Sequence, residues 1–456
     1  MSSSSSSPAG LPGPLTYADV ERALLDRWPE TRLEPSLTRI RALCDLMGDP
    51  QTAYPVISLT GTNGKTSTSR MVDALLRGLG LRTGRFTSPH LESMTERIAL
   101  DGEPMSPEEF SAAYHDVAVY AAVIDRSGPH RLSFFETMTG MAYAAFADAP
   151  VDVAVVEVGM GGTWDATNVA DAQVAVVTPI ALDHSRYLGG SPAEIATEKA
   201  GIIKPGAFAV LARQPVAAAE VLIRHAAEVG ATVAREGVEF GVASRVPGVG
   251  GQVVSLRGLV ADYDEMVLTL HGAHQAHNAA CAVAAVEAFV GGIALDADVV
   301  REVLATATSP GRLELVRRSP AIVVDAAHNP SGAQATAEGM QEAFAFSPLI
   351  GVVGVMADKE VEGILAAFEP VMSAVVCTQN STPRALPAAK LAEAAEEIFG
   401  PDRVHVVRRL DDALDTAAAL AEEGGPYGES IGSGGVLVTG SVVTAGEARH
   451  LLSRQR

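Results

Sequence analysis

The sequence contains little cysteine and few basic residues for its length. Its 456 residues include three cysteines, and 34 basic residues stand against 55 acidic ones, which gives a formal net charge of −21. The cysteines are far apart and no C-x-x-C pair occurs, so neither a disulfide framework nor a zinc site is indicated, and a reducing cytoplasm is expected. The acidic balance disfavours nonspecific binding to nucleic acid or to an anionic membrane, because like charges repel.

Long apolar runs and secretion signals are also missing. The first residues are rich in Ser, Pro and Gly and lack a basic start, which predicts a disordered tail over residues 1–16 rather than a signal peptide. The most apolar long stretch, residues 279–295, contains Glu287 and is rich in Ala and Gly, so a buried helix followed by a turn is favoured over a membrane span. A hydrophobic content of 47% is normal for a globular chain.

A glycine loop between a strand pattern and a helical pattern is the clearest motif in the chain. The apolar run V-I-S-L at 56–59 leads into G-T-N-G-K-T-S at 61–67, and apolar residues at helical spacing follow. This is the order of a phosphate-binding loop. The loop N–H groups and the helix N-terminus are expected to face the anion, and Lys65 to reach the outer phosphates. The hydroxyl of Thr66 or Ser67 is expected to meet a phosphate or Mg²⁺.

The spacing of this loop departs from the common pattern. Only Thr62 and Asn63 separate Gly61 from Gly64, whereas the common pattern has four residues between its glycines. A plain glycine turn between a strand and a helix is therefore the alternative interpretation. The Gly-Lys-Thr-Ser run at the helix entrance favours nucleotide binding.

Polar residues also stand at the ends of two further apolar runs. The run at 151–158 has Glu157 near its end, and the run at 174–180 is followed by His184. The carboxyl ends of parallel strands meet at one edge of a sheet, so both side chains are expected on the same side as Lys65. There the histidine would be a candidate metal ligand. A solvated glutamate and a structural histidine are the plain alternatives.

Two other polar features are less distinct. Lys199 stands among apolar residues, where a lysine that reaches solvent with its amine is the alternative to a site residue. His274 and His277 open an Ala-rich helix. Because no acidic residue is near them in the sequence, helix capping or a contact with adenosine is favoured over a metal site.

A change of composition divides the chain near residue 308. The segment T-A-T-S-P-G at 306–311 is typical of a linker, and after it short apolar runs alternate with helical segments. That alternation predicts a parallel sheet with flanking helices. We therefore predict an α/β chain with a parallel-rich phosphate-loop domain over residues 17–307 and a smaller Rossmann-like domain over residues 308–456.

A set of motifs covers nearly the whole chain after residue 16. In chain order they are G-T-N-G-K-T-S (61–67), T-S-P-H-L (87–91), F-F-E-T-M-T (134–139), E-V-G-M-G-G-T-W-D-A-T-N (157–168), L-D-H-S-R-Y-L-G (182–189), E-K-A-G-I-I-K (198–204), H-Q-A-H-N-A (274–279), P-G-R-L-E (310–314), D-A-A-H-N-P (325–330), V-M-A-D-K-E (355–360), S-T-P-R-A-L-P (381–387) and V-T-G-S-V-V-T-A-G-E (438–447). Together they resemble the folylpolyglutamate and dihydrofolate synthases of the Mur ligase superfamily. Two departures occur: this family more often has glycine at the position of Thr66, and it usually has other residues at Ser185 and Arg186.

The resemblance implies ATP-dependent ligation of L-glutamate to a folate carboxylate. ATP would phosphorylate the carboxylate to an acyl phosphate, and the glutamate amine would then displace phosphate. Asp165 and Ala166 are similar to the pair in enzymes that accept dihydropteroate, so we expect a bifunctional enzyme that makes dihydrofolate and extends folates with glutamate. A monofunctional folylpolyglutamate synthase is the first alternative. A muramyl peptide ligase, which Thr66 favours, and a non-catalytic nucleotide-binding regulator are the others.

The resemblance also implies roles for individual residues. The ATP-binding set is Gly61, Thr62, Asn63, Gly64, Lys65, Thr66, Ser67, Asn278, Arg312 and Asp325. The Mg²⁺ set, for two expected sites, is Ser88, Glu157, His184 and Lys199, the last as a carbamate. The pterin or folate set is Phe134, Phe135, Glu136, Asp165 and Ala166. Lys65, Lys199 and His328 are the expected catalytic residues of a monomer that binds only small molecules, with ATP and glutamate contacts also from the second domain.

Overall fold

The computed structural model describes residues 15–29, 35–128, 130–422 and 434–454. These residues form two large sheets flanked by helices and one small sheet, so the expected α/β class is confirmed. The expected disordered tail lies outside the described residues as far as residue 14.

The first large sheet has eight strands in the order β4-β3-β2-β5-β1-β6-β7-β8. The six strands β2, β5, β1, β6, β7 and β8 are parallel. At one edge, β3 pairs antiparallel with β2, and β4 pairs antiparallel with β3. Every residue of β1 and β5 is buried, as expected for β-branched central strands covered on both faces. The eight strands are β1 (Val56–Thr60), β2 (Thr83–Phe86), β3 (Ile98–Leu100), β4 (Glu103–Pro104), β5 (Val153–Glu157), β6 (Val174–Val177), β7 (Phe208–Leu211) and β8 (Thr232–Arg235).

Helices cover both faces of this sheet. The helices are α1 (Tyr17–Leu25), α2 (Thr38–Leu46), α3 (Lys65–Gly78), α4 (Pro107–Ser127), α5 (Phe134–Asp148), α6 (Ser185–Leu188), α7 (Pro192–Lys199), α8 (Val216–Glu228), α9 (Ala273–Phe289) and α10 (Ala297–Ala305). On one face, α3, α9 and α10 share a core with a small antiparallel sheet of β9 (Gly241–Gly248), β10 (Gly251–Arg257) and β11 (Asp262–Leu268). The opposite face packs against α1, α2, α4 and α5 at one end and against α7 and α8 at the other.

The Ala-rich helix α9 contains most of the segment 279–295, for which a buried helix followed by a turn was expected rather than a membrane span. Most of its residues are buried in the core beside α3. Across the described ranges, no helix combines the length and the apolar character needed to cross a membrane.

The second large sheet has six strands in the order β12-β13-β17-β14-β15-β16. Its strands are β12 (Glu314–Arg318), β13 (Ala321–Val324), β14 (Leu349–Val353), β15 (Ala374–Cys377), β16 (Val404–Val406) and β17 (Gly435–Thr439), and its helices are α11 (Pro330–Ala343), α12 (Val361–Phe368), α13 (Ala388–Phe399), α14 (Leu410–Glu422) and α15 (Val442–Ser453). The predicted parallel sheet is confirmed for β13 to β17, whereas β12, which was not predicted, runs antiparallel to β13. Only two residues connect these strands, too few for the crossover that parallel neighbours need.

The two large sheets meet at the carboxyl ends of their strands. The loops after β1 and β6 of the first sheet touch the loops after β13 and β14 of the second sheet. Asn63 and Asn329 are hydrogen-bonded across this junction, and so are Asp183 and Lys359. Several of the residues predicted to bind ATP and metal lie on or next to these loops.

Candidate active site

Two glycines shape the loop between β1 and α3. Gly61 has a φ of 144° and Gly64 a φ of 88°, in a range that residues other than glycine rarely adopt. A Cβ on Gly61 would lie 1.9 Å from Thr178 Oγ1, and one on Gly64 would lie 2.5 Å from Asn278 Oδ1. Close approach of neighbouring side chains thus requires glycine at both positions, and Asn278 of α9 lies directly against the loop.

The N–H groups of the loop are used in two ways. Those of Thr62 and Asn63 donate to the Pro179 carbonyl at 2.9 and 3.4 Å. The expectation that successive loop N–H groups all turn toward an anion is therefore wrong for these two, which brace the loop against the segment after β6. The next helix begins at Lys65 after Gly64, which offers no side-chain cap. The first N–H groups of α3 are the ones suited to bind a phosphate.

Two lysine amines converge on one carbonyl of the loop. Lys65 Nζ lies 3.0 Å and Lys199 Nζ 2.9 Å from the Gly61 oxygen. Lys199 is only 4% exposed, so the alternative of a lysine that reaches solvent is wrong. Burial, reinforced by the charge of Lys65, lowers the pKa of Lys199 to about 7. Burial also lowers the pKa of Lys65, although nearby Glu157 opposes that shift.

Glu157 lies at the end of β5 beside the phosphate loop. It is 1% exposed, and both of its oxygens lie 3.0 Å from Thr66 Oγ1. Burial raises the pKa of Glu157, against the opposing effects of Lys65, Thr66 and the Ser88 main chain. The alternative of a solvated glutamate is wrong. Ser67, the other hydroxyl considered for phosphate or Mg²⁺, instead lies 2.9 Å from Ser309 Oγ.

Asp183 is a central residue of the site that the sequence reasoning did not single out. Its carboxylate accepts a hydrogen bond from Lys359 at 2.6 Å and one from Asn329 at 3.2 Å, and His328 Nε2 lies 3.4 Å away. Burial alone would raise the pKa of Asp183. The hydrogen bond from His328 and the charges of His184 and Lys359 hold it well below its usual range. Asp183 lies in the motif L-D-H and Lys359 in the motif A-D-K-E, both of which the sequence analysis quoted. Of the first motif, only the histidine was considered as a site residue.

His184 follows Asp183 in a strained backbone conformation. Its φ is 51°, in the left-handed region that costs a residue other than glycine roughly 1–3 kcal/mol. Burial lowers the pKa of His184 to about 4, with Asp183 opposing the shift. The imidazole is therefore neutral near pH 7, and a neutral ring nitrogen is able to bind a metal.

The donor set around Glu157 suits Mg²⁺ carried by a nucleotide. The buried Glu157 carboxylate contacts the Thr66 hydroxyl and the Ser88 main chain, and the neutral ring of His184 lies close enough to Lys65 to be affected by its charge. Mg²⁺ usually takes about one or two carboxylates, with substrate phosphates and waters as its other ligands. No cluster of three or more His, Cys, Asp or Glu side chains that could hold a metal occurs in the described part of the chain. The residues fit a metal that arrives with ATP better than an all-protein metal cage.

Asp325 holds the turn that carries Arg312. Its carboxylate accepts hydrogen bonds from the N–H groups of Leu313 and Ala327, both at 2.9 Å, and from the Thr336 hydroxyl at 2.8 Å. Leu313 has a φ of 44°, a second strained position near the site. Asp325 therefore has a supporting role within the second sheet, and the charge of Arg312 extends to Lys65 and Glu157.

The predicted pterin set lies around the start of α5, on the face of the first sheet opposite α3. The Arg97 guanidinium carbon lies 4.9 Å from the centroid of the buried Phe134 ring, and the Phe135 ring lies 5.7 Å from that of Phe86. The aromatic rings and the buried Ala166 thus line an apolar region next to the end of β5.

The two carboxylates of this set are already paired within the protein. Glu136 accepts a hydrogen bond from the Ser133 N–H at 2.8 Å and pairs with Arg39 at 3.1 Å. Asp165 accepts hydrogen bonds from the Met160 and Thr167 N–H groups, both at 2.9 Å, and from the Thr167 hydroxyl at 2.6 Å. Both carboxylates shape the region rather than point freely into it.

The histidines at the start of α9 differ from expectation in one respect. His277 Nδ1 contacts the Glu236 carboxylate, which comes from the end of β8 and also accepts the Arg213 N–H at 2.8 Å. No acidic residue is near these histidines in the sequence, but the folded chain brings Glu236 next to His277. Burial lowers the pKa of His274. Its ring lies so close to Gly272 that a Cβ there would be 2.6 Å from His274 Cε1.

Comparison with known proteins agrees with this geometry. Residues 59–286 match the Mur ligase middle domain, and residues 311–442 match the Mur ligase glutamate ligase domain. A dihydrofolate synthase/folylpolyglutamate synthase of Mycobacterium tuberculosis is 53% identical over 455 residues, which cover 95% of this chain and 93% of that protein. The chain belongs to the folylpolyglutamate and dihydrofolate synthase family. The expected family is thereby confirmed, whereas the domain boundary near 308 and the individual site residues stay predictions.

Further members of the synthase family share the fold. A Bacillus subtilis dihydrofolate synthase/folylpolyglutamate synthase is 34% identical over 80% of this chain and 85% of that protein. The solved Mycobacterium tuberculosis folylpolyglutamate synthase complexed with ADP has a TM-score of 0.93 at 53% identity, covering 96% of this chain and 98% of that chain. The Escherichia coli FolC in complex with DHPP and ADP has a TM-score of 0.85 at 28% identity, covering 97% and 99%.

Proposed function

We propose that the chain joins L-glutamate to 7,8-dihydropteroate, giving dihydrofolate, and to the glutamate tail of reduced folates, with ATP as the energy source. The observation that supports this most is the convergence of Lys65, Lys199 and Glu157 at a glycine loop that faces polar residues of the second sheet. The Mycobacterium tuberculosis relative carries both activities in its name, and the Escherichia coli relative was solved with DHPP and ADP. A monofunctional folylpolyglutamate synthase is the second candidate.

The phosphate loop has the charge that the first half-reaction needs. A substrate carboxylate oxygen attacks the γ-phosphorus of ATP, which forms an acyl phosphate and releases ADP. Both reactants are anions, so catalysis depends on cations placed where they approach. Lys65, the N-terminus of α3 and Arg312 supply positive charge there, and the amines of Lys65 and Lys199 are directed at the loop.

The second half-reaction forms the amide. The glutamate amine attacks the acyl carbon and the C–N bond forms. The bond between the acyl carbon and the phosphate oxygen then breaks, so that inorganic phosphate leaves, and the amine loses a proton to water. His328 and Lys359 lie on the loops of the second sheet that face the phosphate loop, bound to Asp183. They are placed to bind or orient the incoming amino acid.

Mg²⁺ and a modified lysine complete the proposed site. When bound, Mg²⁺ neutralises phosphate charge, and Ser88, Glu157 and His184 would hold it. Lys199 is buried without a carboxylate at ion-pair distance among the described residues. A carbamate on Lys199 would turn this isolated cation into an oxygen ligand for the same metal. We further expect a cytoplasmic monomer.

Phosphate release tests the proposed function. The assay contains ATP, Mg²⁺ and L-glutamate and compares 7,8-dihydropteroate with a reduced folate as the acceptor. Release with both acceptors supports the bifunctional assignment. Release with the folate alone supports the monofunctional alternative, and the absence of glutamate-dependent release with either acceptor would contradict the assignment.

A further inference from the structure

Polar side chains from both large sheets meet at the carboxylate of Asp183. Oδ1 accepts a hydrogen bond from Lys359 Nζ at 2.6 Å, and Oδ2 lies 3.2 Å from Asn329 Nδ2 and 3.4 Å from His328 Nε2. We propose that Asp183 is a positioning residue for the ligation, which holds Lys359 and His328 beside the phosphate loop so that glutamate meets the acyl phosphate. This inference rests on the proposed function.

Asp183 lies on a hydrogen-bonded path that begins at the phosphate loop. The Thr62 hydroxyl donates to the Ala181 carbonyl and accepts from the Ala181 N–H, both at 3.0 Å. Two residues later, Asp183 binds the loops of the second sheet. Asn329 closes the path, because its side chain also exchanges hydrogen bonds with Asn63 of the phosphate loop at 3.0 and 3.3 Å. A fixed Asp183 therefore fixes the second sheet's loops relative to the phosphate loop.

Burial makes the contact between Asp183 and Lys359 specific. Both side chains are 9% exposed. Exposed ion pairs contribute little to stability, whereas removing one partner of a buried pair leaves a charge without compensation. Charge-assisted hydrogen bonds are also short and directional. Loss of the Asp183 carboxylate should thus release Lys359 from its place while the two sheets stay folded.

A more exposed ion pair, away from the junction of the strand ends, provides a control. Arg245 of β9 binds Glu342 of α11 through two hydrogen bonds, both 2.7 Å long. Asn329 caps the start of α11 and Glu342 lies in its last turn, 12 residues after Pro330. At about 1.5 Å per residue, Glu342 is roughly 18 Å along the helix from the Asp183 cluster. The control pair joins the same parts of the chain but lies far from the phosphate loop.

The test compares four variants of the full chain with the wild type. They are Asp183→Asn, Lys359→Gln, the double variant and the control Glu342→Gln. We expect kcat for glutamate-dependent phosphate release to fall at least about tenfold in Asp183→Asn, with the ADP dissociation constant changed less than about threefold. The double variant should be no slower than Lys359→Gln alone, because the two residues act as a unit. Glu342→Gln should stay within about twofold of the wild type.

Several results would overturn the inference. Wild-type turnover in Asp183→Asn, an equal loss of kcat in Glu342→Gln, or losses of kcat that multiply in the double variant would each do so. A raised Mg²⁺ requirement of Asp183→Asn would also do so, because it would mean that Asp183 acts through His184. Turnover of the wild type, measured alongside, tests the proposed function separately.

If the wild type is inactive, interdomain distances decide the role of Asp183. The natural cysteines described are all buried, so spin labels can be placed on Glu228→Cys and Glu397→Cys, two exposed positions on opposite sides of the junction. A distance distribution that Asp183→Asn broadens and Glu342→Gln does not would support positioning. An unchanged distribution would overturn it.

Discussion

The phosphate-loop edge and the pterin-side region lie beside the same strand ends but use buried polar groups differently. At the phosphate loop, Lys199 is 4% exposed and its amine contacts only a carbonyl among the described contacts. In the pterin-side region, Glu136 has an arginine partner and a capping hydrogen bond. Unpaired buried charge raises the free energy of the folded state, and paired charge supports it. We conclude that the buried charges of the first region serve catalysis, whereas those of the second region stabilise the walls of the pterin-side region.

The largest expected effect is that of Lys65→Ala. Removing a cation aimed at developing phosphate charge should lower kcat/KM at least about a hundredfold, the range measured when one electrostatic donor is lost. Steady-state phosphate release measures this, with Lys390→Ala, an exposed lysine, as the control. Wild-type activity in Lys65→Ala would contradict the assignment of the phosphate loop.

Lys199→Ala is expected to separate activity from stability. Activity should fall about tenfold or more, because loss of a group that binds a metal or orients its ligands has effects of this size. The free energy of unfolding should not fall, since burial lowers the pKa of Lys199 and the charged amine is costly. Chemical denaturation and turnover are measured together. Lys204→Ala, a partly buried lysine whose amine binds the Asn168 carbonyl at 3.2 Å, is the control.

Rescue sharpens this test of Lys199. Short carboxylates added to Lys199→Ala should restore part of the activity if the native residue works as a carbamate. Lack of rescue, together with unmodified electron density at Lys199 in crystals grown with bicarbonate, would remove the carbamate from the account.

Glu157→Gln should change the metal requirement more than the fold. The amide keeps the shape and the hydrogen bond with Thr66 but loses the charge, so the Mg²⁺ concentration at half-maximal activity should rise about tenfold. A Mg²⁺ titration of phosphate release gives this value. An unchanged titration would show that Glu157 does not hold the metal.

The smallest effect on turnover is expected from Glu136→Gln. Loss of the pair with Arg39 should lower the free energy of unfolding by about 1–3 kcal/mol and leave kcat within about threefold. Glu109→Gln is the matched control, because Glu109 has the same capping role toward Ser106 at an exposed position, and it should cost less than about 1 kcal/mol. Unchanged stability with a raised KM for dihydropteroate would instead place Glu136 on the substrate.

Local patterns predicted much of the fold and part of the site. Glu157 could be predicted because a carboxylate at the end of a buried strand has a definite place in a parallel sheet. Asp183 was missed because only the histidine of the motif L-D-H was considered, and because its partner Lys359 is 176 residues away in the chain. The capping role of Glu136 is readable in the pattern Ser133 to Glu136, whereas its place in the pterin set stays a prediction. Contacts between residues that are far apart in the chain are therefore harder to predict from the sequence than strands and helices are.

Product analysis after a single incubation tests the central claim most directly. The chain is mixed with ATP, Mg²⁺, L-glutamate and 7,8-dihydropteroate, and the pterin product, ADP and phosphate are quantified by chromatography and mass spectrometry. Our account predicts dihydrofolate, with ADP and phosphate formed in equal amounts to it. ATP binding without glutamate-dependent product from dihydropteroate or from a reduced folate would contradict it.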